Sequence, residues 1–472
     1  MVFNSLIFVV FFVIVTTLYY SLPHKFRWAL LLLASSIFYM YFLPIYILIL
    51  GFTICIDYYA GIFIARSTGK SRKRWLILSI IANVGVLAIF KYYNFLNDSL
   101  TSFLGFFNYY NSIPFLQILL PVGLSFHTFQ AMSYTIEVYR GNQEPENHFG
   151  IYALYVMFYP QLVDGPIERP QNILHQFHEK KKFDYNHVAE GCKLILWGFI
   201  KKLVVADRLA IYTDAVYGNY EQHSGISMMI ASFFFIFQIY CDFSGYSDIA
   251  IGSARVMGIH LMTNFRRPFF AKSIQEVWQR WHISLTTWFR DYLYFPLGGS
   301  RKGKLVLLRN MLIVFAVSGL WHGAGWTFVI WGILNGTVLV LEQILNPLLR
   351  RVHKFLGIFQ NLARMFFTVS LFVAMAVFFR APKISQSWYM LKAMITLKPG
   401  RIYKGEPPTA FAYCVFALVL LLGVEFIQEY YPKNELMHHK STGVRYGFYL
   451  FLITVLLMTG VFNGGQFVYF QF

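Results

Sequence analysis

Charge is scarce in this sequence. Only 13% of its 472 residues are Asp, Glu, Lys or Arg, about half the share in ordinary soluble domains. Hydrophobic residues make up 57% and aromatic residues 19%, and the mean hydropathy is +0.51. That balance excludes a soluble globular protein. Cysteine is scarce too: Cys55, Cys192, Cys241 and Cys414 are widely separated, which excludes a disulfide framework and any cysteine-based metal spacing. No H-E-x-x-H or comparable ligand spacing occurs, so no metal site is expected. The first apolar run has no basic stretch before it, and SLPHKFRW after it offers no small-x-small cleavage site. It therefore reads as a retained helix rather than a secretory signal. The GKS at 69–71 lacks the upstream glycine of a phosphate loop, since Ile64 stands there.

Long apolar runs are abundant. They recur at about 1–20, 28–43, 45–65, 75–90, 114–135, 225–250, 311–340, 363–379, 408–428 and 446–462, each near the roughly 20 residues a spanning helix needs. Weaker candidates lie at 150–163 and 188–205. The expected fold is all-α, a polytopic integral membrane protein with ten to twelve passages, some short or broken. One membrane-embedded domain over 1–472 is expected, with its core motifs within 121–335.

The net charge of +18 is unevenly placed. The loop ARSTGKSRKRW carries five basic residues and no acid, whereas 93–113 contains no Lys or Arg. The positive-inside rule puts the first on the cytoplasmic face and the second outside, and three passages back the N-terminus is outside. From Arg255 to Arg309 ten basic residues face only Glu276 and Asp291, so that region is also expected to be cytoplasmic. Anionic headgroups would account for such charge; so would a phosphate-bearing donor arriving from the cytosol.

The segment NFRRPFFAKSIQEVWQRWHISLTTWFRDYLYFPLGGSRKGK is too polar to span lipid and too aromatic for a solvated loop. It is expected to lie at the interface or re-enter the protein and line a cavity. On one continuous helix Trp278, Trp281 and Trp288 share a stripe, with Gln279, His282 and Arg290 nearer another.

A second polar spot is SGLWHGAGW at 318–326, inside an uncharged apolar run. An intramembrane histidine can simply hydrogen-bond a neighbouring helix. Gly319, Gly323 and Gly325 around it weaken a helix by roughly 1 kcal/mol each relative to Ala. A break there would set backbone N–H groups and the indoles of Trp321 and Trp326 beside His322, a set suited to proton abstraction with oxyanion support.

Together with PVGLSFHTFQAMSYTIEVYRG, YPQLVDGPIERP, CDFSGYSDIAIG and the closing FVYFQF, these segments resemble the bacterial branch of the membrane-bound O-acyltransferases, among them alginate O-acetyltransferase membrane subunits and peptidoglycan-acetylating members. The resemblance extends over nearly the whole chain. It implies a helical disc thinned at its centre, with a tunnel in which a funnel from each face meets near a histidine. It places the family's two histidines at His322 (W-H-G) and His282 (W-H-I-S) as the catalytic pair. His322 is then the general base or a transient acyl acceptor, and His282 lines the donor tunnel or polarises a carbonyl. Trp278, Trp281, Ser284, Trp288, Arg290, Asp291, Ser318 and Trp321 are the substrate-binding candidates. Arg290 and Asp291, about 100° apart on a helix, need not pair.

The resemblance further implies no bound cofactor, with an acyl thioester such as acetyl-CoA as a cytosolic co-substrate. It implies a bacterial cytoplasmic membrane, an extracytoplasmic acetyltransferase or hydrolase-like partner, an exported polysaccharide such as alginate as acceptor, and no nucleic acid. Peptidoglycan O-acetylation and D-alanyl transfer to teichoic acid stay open as alternatives. A secondary transporter, the non-enzyme alternative, would show matching broken segments in two halves, and nothing in the first half mirrors WHISLTTWFRDY or SGLWHG. Asp242 and Asp248, about 240° apart on a helix, are expected to cap helices around a break at Gly245. Glu168 is free to pair with Arg169 or another basic residue.

Overall fold

The computed structural model describes residues 1–117, 121, 123–355 and 357–462, with backbone alone for 349–355. The closing FVYFQF and part of the 114–135 run lie outside the described residues. Among those described, every regular element is helical. Eight stretches of the described residues are long and apolar enough to cross a bilayer: Pro44–Arg66, Gly69–Phe106, Gly225–Val256, Lys304–His322, Trp326–Leu348, Gly357–Arg380, Thr409–Tyr430 and Thr442–Thr459.

Eight is fewer than the ten to twelve expected, for local reasons. The first run yields the 16-residue helix Leu6–Ser21, about 24 Å long at 1.5 Å per residue. The second, His24–Met40, spends its first turn on His24, Lys25 and Arg27. The 150–163 run turns at Phe158, between Phe149–Met157 and Tyr159–Leu162. Lys201 and Lys202 interrupt 188–205.

The chain forms two compact units. The first comprises Met1–Ile195 with Ile249–Met262. It holds α1 (Leu6–Ser21), α2 (His24–Met40), α3 (Ile47–Arg66), α4 (Gly69–Leu87), α5 (Tyr93–Phe106), α6 (Leu124–Arg140), α7 (Phe149–Met157), α8 (Tyr159–Leu162), α9 (Pro170–His178) and most of α10 (Tyr185–Phe199). A polar pin joins three of these helices. Asp57 of α3 accepts from Ser79 (2.6 Å) and Asn83 (2.9 Å) of α4, and Ser79 also lies 2.9 Å from Thr135 of α6. The stretch without Lys or Arg, read as an exterior connection over 93–113, is helical to Phe106, running on from α4 through a π-helical turn at Ala88–Tyr92. Its polar face explains the difference: Asn97 and Thr101 bond Ile113 and Asn111 of the segment that folds back along it.

The second unit comprises Leu196–Asp248 and the chain from Thr263 onward. It holds α11 (Asp207–Gly218), most of α12 (Gly225–Val256), α13 (Ile274–Arg280), α14 (Ile283–Phe289), α15 (Lys304–His322), α16 (Trp326–Phe355), α17 (Gln360–Arg380), α18 (Ile384–Ile395), α19 (Thr409–Tyr430) and α20 (Thr442–Thr459). The expected break at Gly245 is absent, because α12 runs through it unbroken. The glycine serves close packing instead: a Cβ there would lie 2.7 Å from the carbonyl oxygen of Gly198. Nor do Asp242 and Asp248 cap helices. Asp242 binds Lys202 at 2.6 Å and Asp248 binds Lys201 at 2.8 Å, so each buried charge finds its opposite.

Candidate active site

The aromatic segment is two short helices rather than one. Ser273 caps α13 by accepting from the Glu276 N–H, and Glu342 of α16 takes the N–H groups of Ile274 and Gln275. Arg280 closes the far end, held by Glu276 at 2.7 Å and by Glu429 of α19 at 2.8 Å. The chain then turns at Trp281 and at His282, whose φ of 44° lies in the left-handed region, an uncommon place for a residue with a side chain. The single tryptophan stripe is therefore broken between Trp281 and Trp288.

The α15–α16 corner forms where the glycines predict it. Helix α15 ends at His322 and α16 begins at Trp326. The glycines serve packing as much as bending. A Cβ on Gly319 would meet the Phe328 carbonyl oxygen at 2.4 Å, and one on Gly323 would meet the Phe328 ring at 2.2 Å. Small residues at such a seam let helix backbones approach closely.

This corner brings the two histidine segments together. Trp321 lies 5.9 Å from the His282 ring and 5.0 Å from the His322 ring, centroid to centroid. His282 is 1% exposed and His322 3%. His322 packs edge-on against Trp331 at 5.0 Å and against Phe379 at 5.5 Å. His282 meets Phe243 edge-on at 4.6 Å. Outside the spanning helices, burial pushes the His282 imidazole well below its ordinary range, and His322 pushes the same way. Its Nδ1 lies 3.1 Å from the Asn264 side-chain oxygen.

His322 opens onto a narrow crevice of about 20 Å³, walled by Trp281, Trp331, Phe372, Phe379 and, from α12, Phe235 and Ile239. Among its described lining residues His322 alone carries a basic side chain, and Trp281 and Trp331 are the other two with a polar side-chain atom.

Trp278 joins this cluster through Trp331 (5.8 Å) and Phe315 (5.2 Å). Ser284 joins through Asn264 at 2.9 Å. Ser318 is buried one turn before His322. Other candidates stand apart from the crevice lining: Trp288 packs on Phe289 and Tyr292. Arg290 and Asp291, which need not pair by helix geometry, pair at 2.8 Å, with the Arg290 side chain 54% exposed. A π-helical turn over Arg290–Tyr294 replaces ideal helix spacing there. Trp331, Phe379 and Glu342 escape sequence reasoning, because they carry no motif of their own and reach the site only by folding; Asn264 opens the NFRRPFF segment, but nothing in that segment's pattern singles it out.

A family model described as MBOAT, membrane-bound O-acyltransferase family, matches residues 147–381. The chain is 37% identical over 410 residues to the probable alginate O-acetylase of Pseudomonas aeruginosa, covering 84% of this chain and 75% of that protein. It is 35% identical over 396 residues to the peptidoglycan O-acetyltransferase of Helicobacter pylori, covering 78% and 73%. The chain belongs to the membrane-bound O-acyltransferase family. A more partial likeness, 29% over 241 residues, links it to the teichoic acid D-alanyltransferase of Streptococcus thermophilus, covering 47% of this chain and 56% of that one. As a member of the membrane-bound O-acyltransferases the protein is a multi-pass membrane enzyme that transfers acyl groups to oxygen. The family match encloses His282, His322, Trp331 and Phe379.

Proposed function

We propose that this acyltransferase moves an acetyl group from a cytosolic acyl thioester, such as acetyl-CoA, through the bacterial cytoplasmic membrane for O-acetylation of an exported polysaccharide such as alginate. An extracytoplasmic acetyltransferase or hydrolase-like partner completes the transfer. The likeness to O-acetylating relatives over most of the chain supports the acetyl group and the polymer class.

The observation that carries the chemistry is the placing of His322 on the apolar crevice, between Trp281 and Trp331. His322 takes the proton of the attacking hydroxyl. The hydroxyl oxygen bonds the acyl carbon, the carbon–sulfur bond breaks, and the proton passes to the leaving thiolate. Removing one histidine that moves the proton costs about a hundredfold to ten-thousandfold in rate.

The test compares cells carrying the native chain and His322→Ala at equal membrane abundance, with alkali-labile esters on envelope and secreted polymers identified by mass spectrometry. Loss of acetyl esters from one secreted polysaccharide is the expected result, and that polymer is the acceptor. Loss from peptidoglycan, or loss of D-alanyl esters, overturns the polymer assignment while keeping the chemistry. Persistence of every ester removes His322 from the reaction.

A further inference from the structure

Asn264 lies outside every role assigned so far, yet it is fully buried at the centre of the second histidine segment. Its carbonyl oxygen accepts the N–H of Ile283 at 2.8 Å. Its side-chain oxygen accepts from the Ser284 N–H (3.3 Å) and the Ser284 hydroxyl (2.9 Å). Its side-chain nitrogen donates to Ser247 at 3.1 Å. A backbone N–H can only donate, so the atom facing Ser284 must be the amide oxygen, and the orientation of the amide is settled by its partners. That same oxygen faces Nδ1 of His282 at 3.1 Å. Oxygen cannot donate there, so Nδ1 carries the proton. In a neutral imidazole the other nitrogen, Nε2, is then the acceptor.

We infer that Asn264 is a positioning residue that fixes His282 as the Nδ1–H tautomer and leaves Nε2 as a hydrogen-bond and proton acceptor. Neutral His282 then cannot polarise a carbonyl through Nε2, the role its motif suggested. Through Nε2 it can only accept a hydrogen bond or a proton. The same contacts bracket the left-handed backbone of His282, with Ile283 and Ser284 held on Asn264 and the Thr286 N–H returning to the His282 carbonyl at 2.9 Å. Strain of that kind persists only where neighbours over-determine it. The role in transfer rests on the proposed crevice chemistry; the tautomer does not.

The tautomer is read by nitrogen NMR of the full-length chain labelled at histidine, above the pH at which its histidines titrate. The His282→Gln spectrum is subtracted to isolate the ring. Protonated Nδ1 and bare Nε2 in the native chain, with the proton redistributed in Asn264→Ala, is the expected result. A proton on Nε2 in the native chain, or an unchanged ring in Asn264→Ala, overturns the inference.

Kinetics supply a second reading. Asn264→Ala loses about a hundredfold in kcat. Asn264→Asp keeps the acceptor oxygen and recovers at least about tenfold of that loss. Its carboxylate holds His282 cationic to higher pH, so the acid limb of kcat moves up by about one unit or more. An acid limb that stays in place, with only the yield of folded protein reduced, assigns Asn264 a packing role and overturns the inference. His322→Ala run in parallel separates the readings: if it still forms ester, the crevice chemistry fails, and the NMR result decides the tautomer regardless.

Discussion

Gly319 of α15 and Gly332 of α16 meet backbone to backbone: a Cβ on Gly319 would lie 3.2 Å from the Gly332 Cα and 2.4 Å from the Phe328 carbonyl oxygen. Neither of those atoms can rotate away. Gly319→Ala is therefore expected to destabilise the protein by about 1–3 kcal/mol, the usual cost of overpacking, although alanine is the better helix former. Gly423→Ala in α19, where a Cβ meets nothing within 4 Å, is expected to be neutral or to gain up to about 1 kcal/mol. Thermal midpoints of the two variants in detergent check the contrast.

Replacing His322 with Gln keeps a polar side chain of similar size but removes a group able to accept a proton. Acyl transfer is expected to fall by about a hundredfold to ten-thousandfold, with membrane abundance within twofold of native. Radiolabelled acetyl transfer, normalised to immunoblot, measures both. A comparable fall in abundance would mark His322 as a packing residue.

Lys202 serves two buried carboxylates, Asp207 at 2.8 Å and Asp242 at 2.6 Å, with all three side chains at most 6% exposed. Lys202→Met leaves both acids without their cation and is expected to cost about 3–5 kcal/mol. The triple variant Lys202→Met, Asp207→Asn, Asp242→Asn removes charges of both signs and is expected to recover most of that loss. Fluorescence-detected size exclusion after graded heating ranks the three proteins.

Glu168, between α8 and α9, is fully buried and accepts the Met262 N–H and the Asn172 amide. Burial raises its carboxyl from 4.5 to about 7. The folded state thus binds a proton that the unfolded chain releases near pH 4.5. Its contribution is present below that pH and is lost as pH rises through about 7. Against Glu168→Gln, which stays neutral, the native chain is expected to lose thermal stability between pH 4.5 and pH 7. Parallel melting curves across that window give the difference directly; parallel pH dependence would show that Glu168 does not carry the effect.

Much of this site is legible in the sequence. Apolar runs reveal a membrane protein because bilayer thickness sets helix length, and the glycines around His322 mark the corner at which α15 stops. The break between α13 and α14 is not legible, because it depends on Glu342 from a distant helix and on Asn264 folding back from the head of the same segment. Periodicity alone makes Trp278, Trp281 and Trp288 one stripe, and a single left-handed residue at His282 undoes it. Asp242 and Asp248 mislead for a related reason: nothing nearby in sequence signals that Lys201 and Lys202 will fold against them. Lysines in an apolar stretch were the available clue, since such charges are rare there without a partner.

The glycine seam also limits how the crevice can change shape. With backbone against backbone, the α15–α16 hairpin has nothing compressible along its contact, so His322 and Trp331 travel together as one body. The opposite walls are side chains: Phe235 and Ile239 of α12, Phe372 and Phe379 of α17. Those can swing between rotamers, whereas α12 itself is pinned by Asp242 on Lys202, Asp248 on Lys201 and Ser247 on Asn264. Any widening that admits a group bulkier than the narrow crevice holds is thus carried by the side chains that α12 and α17 turn toward it, and the histidine stays still while the room around it is remade.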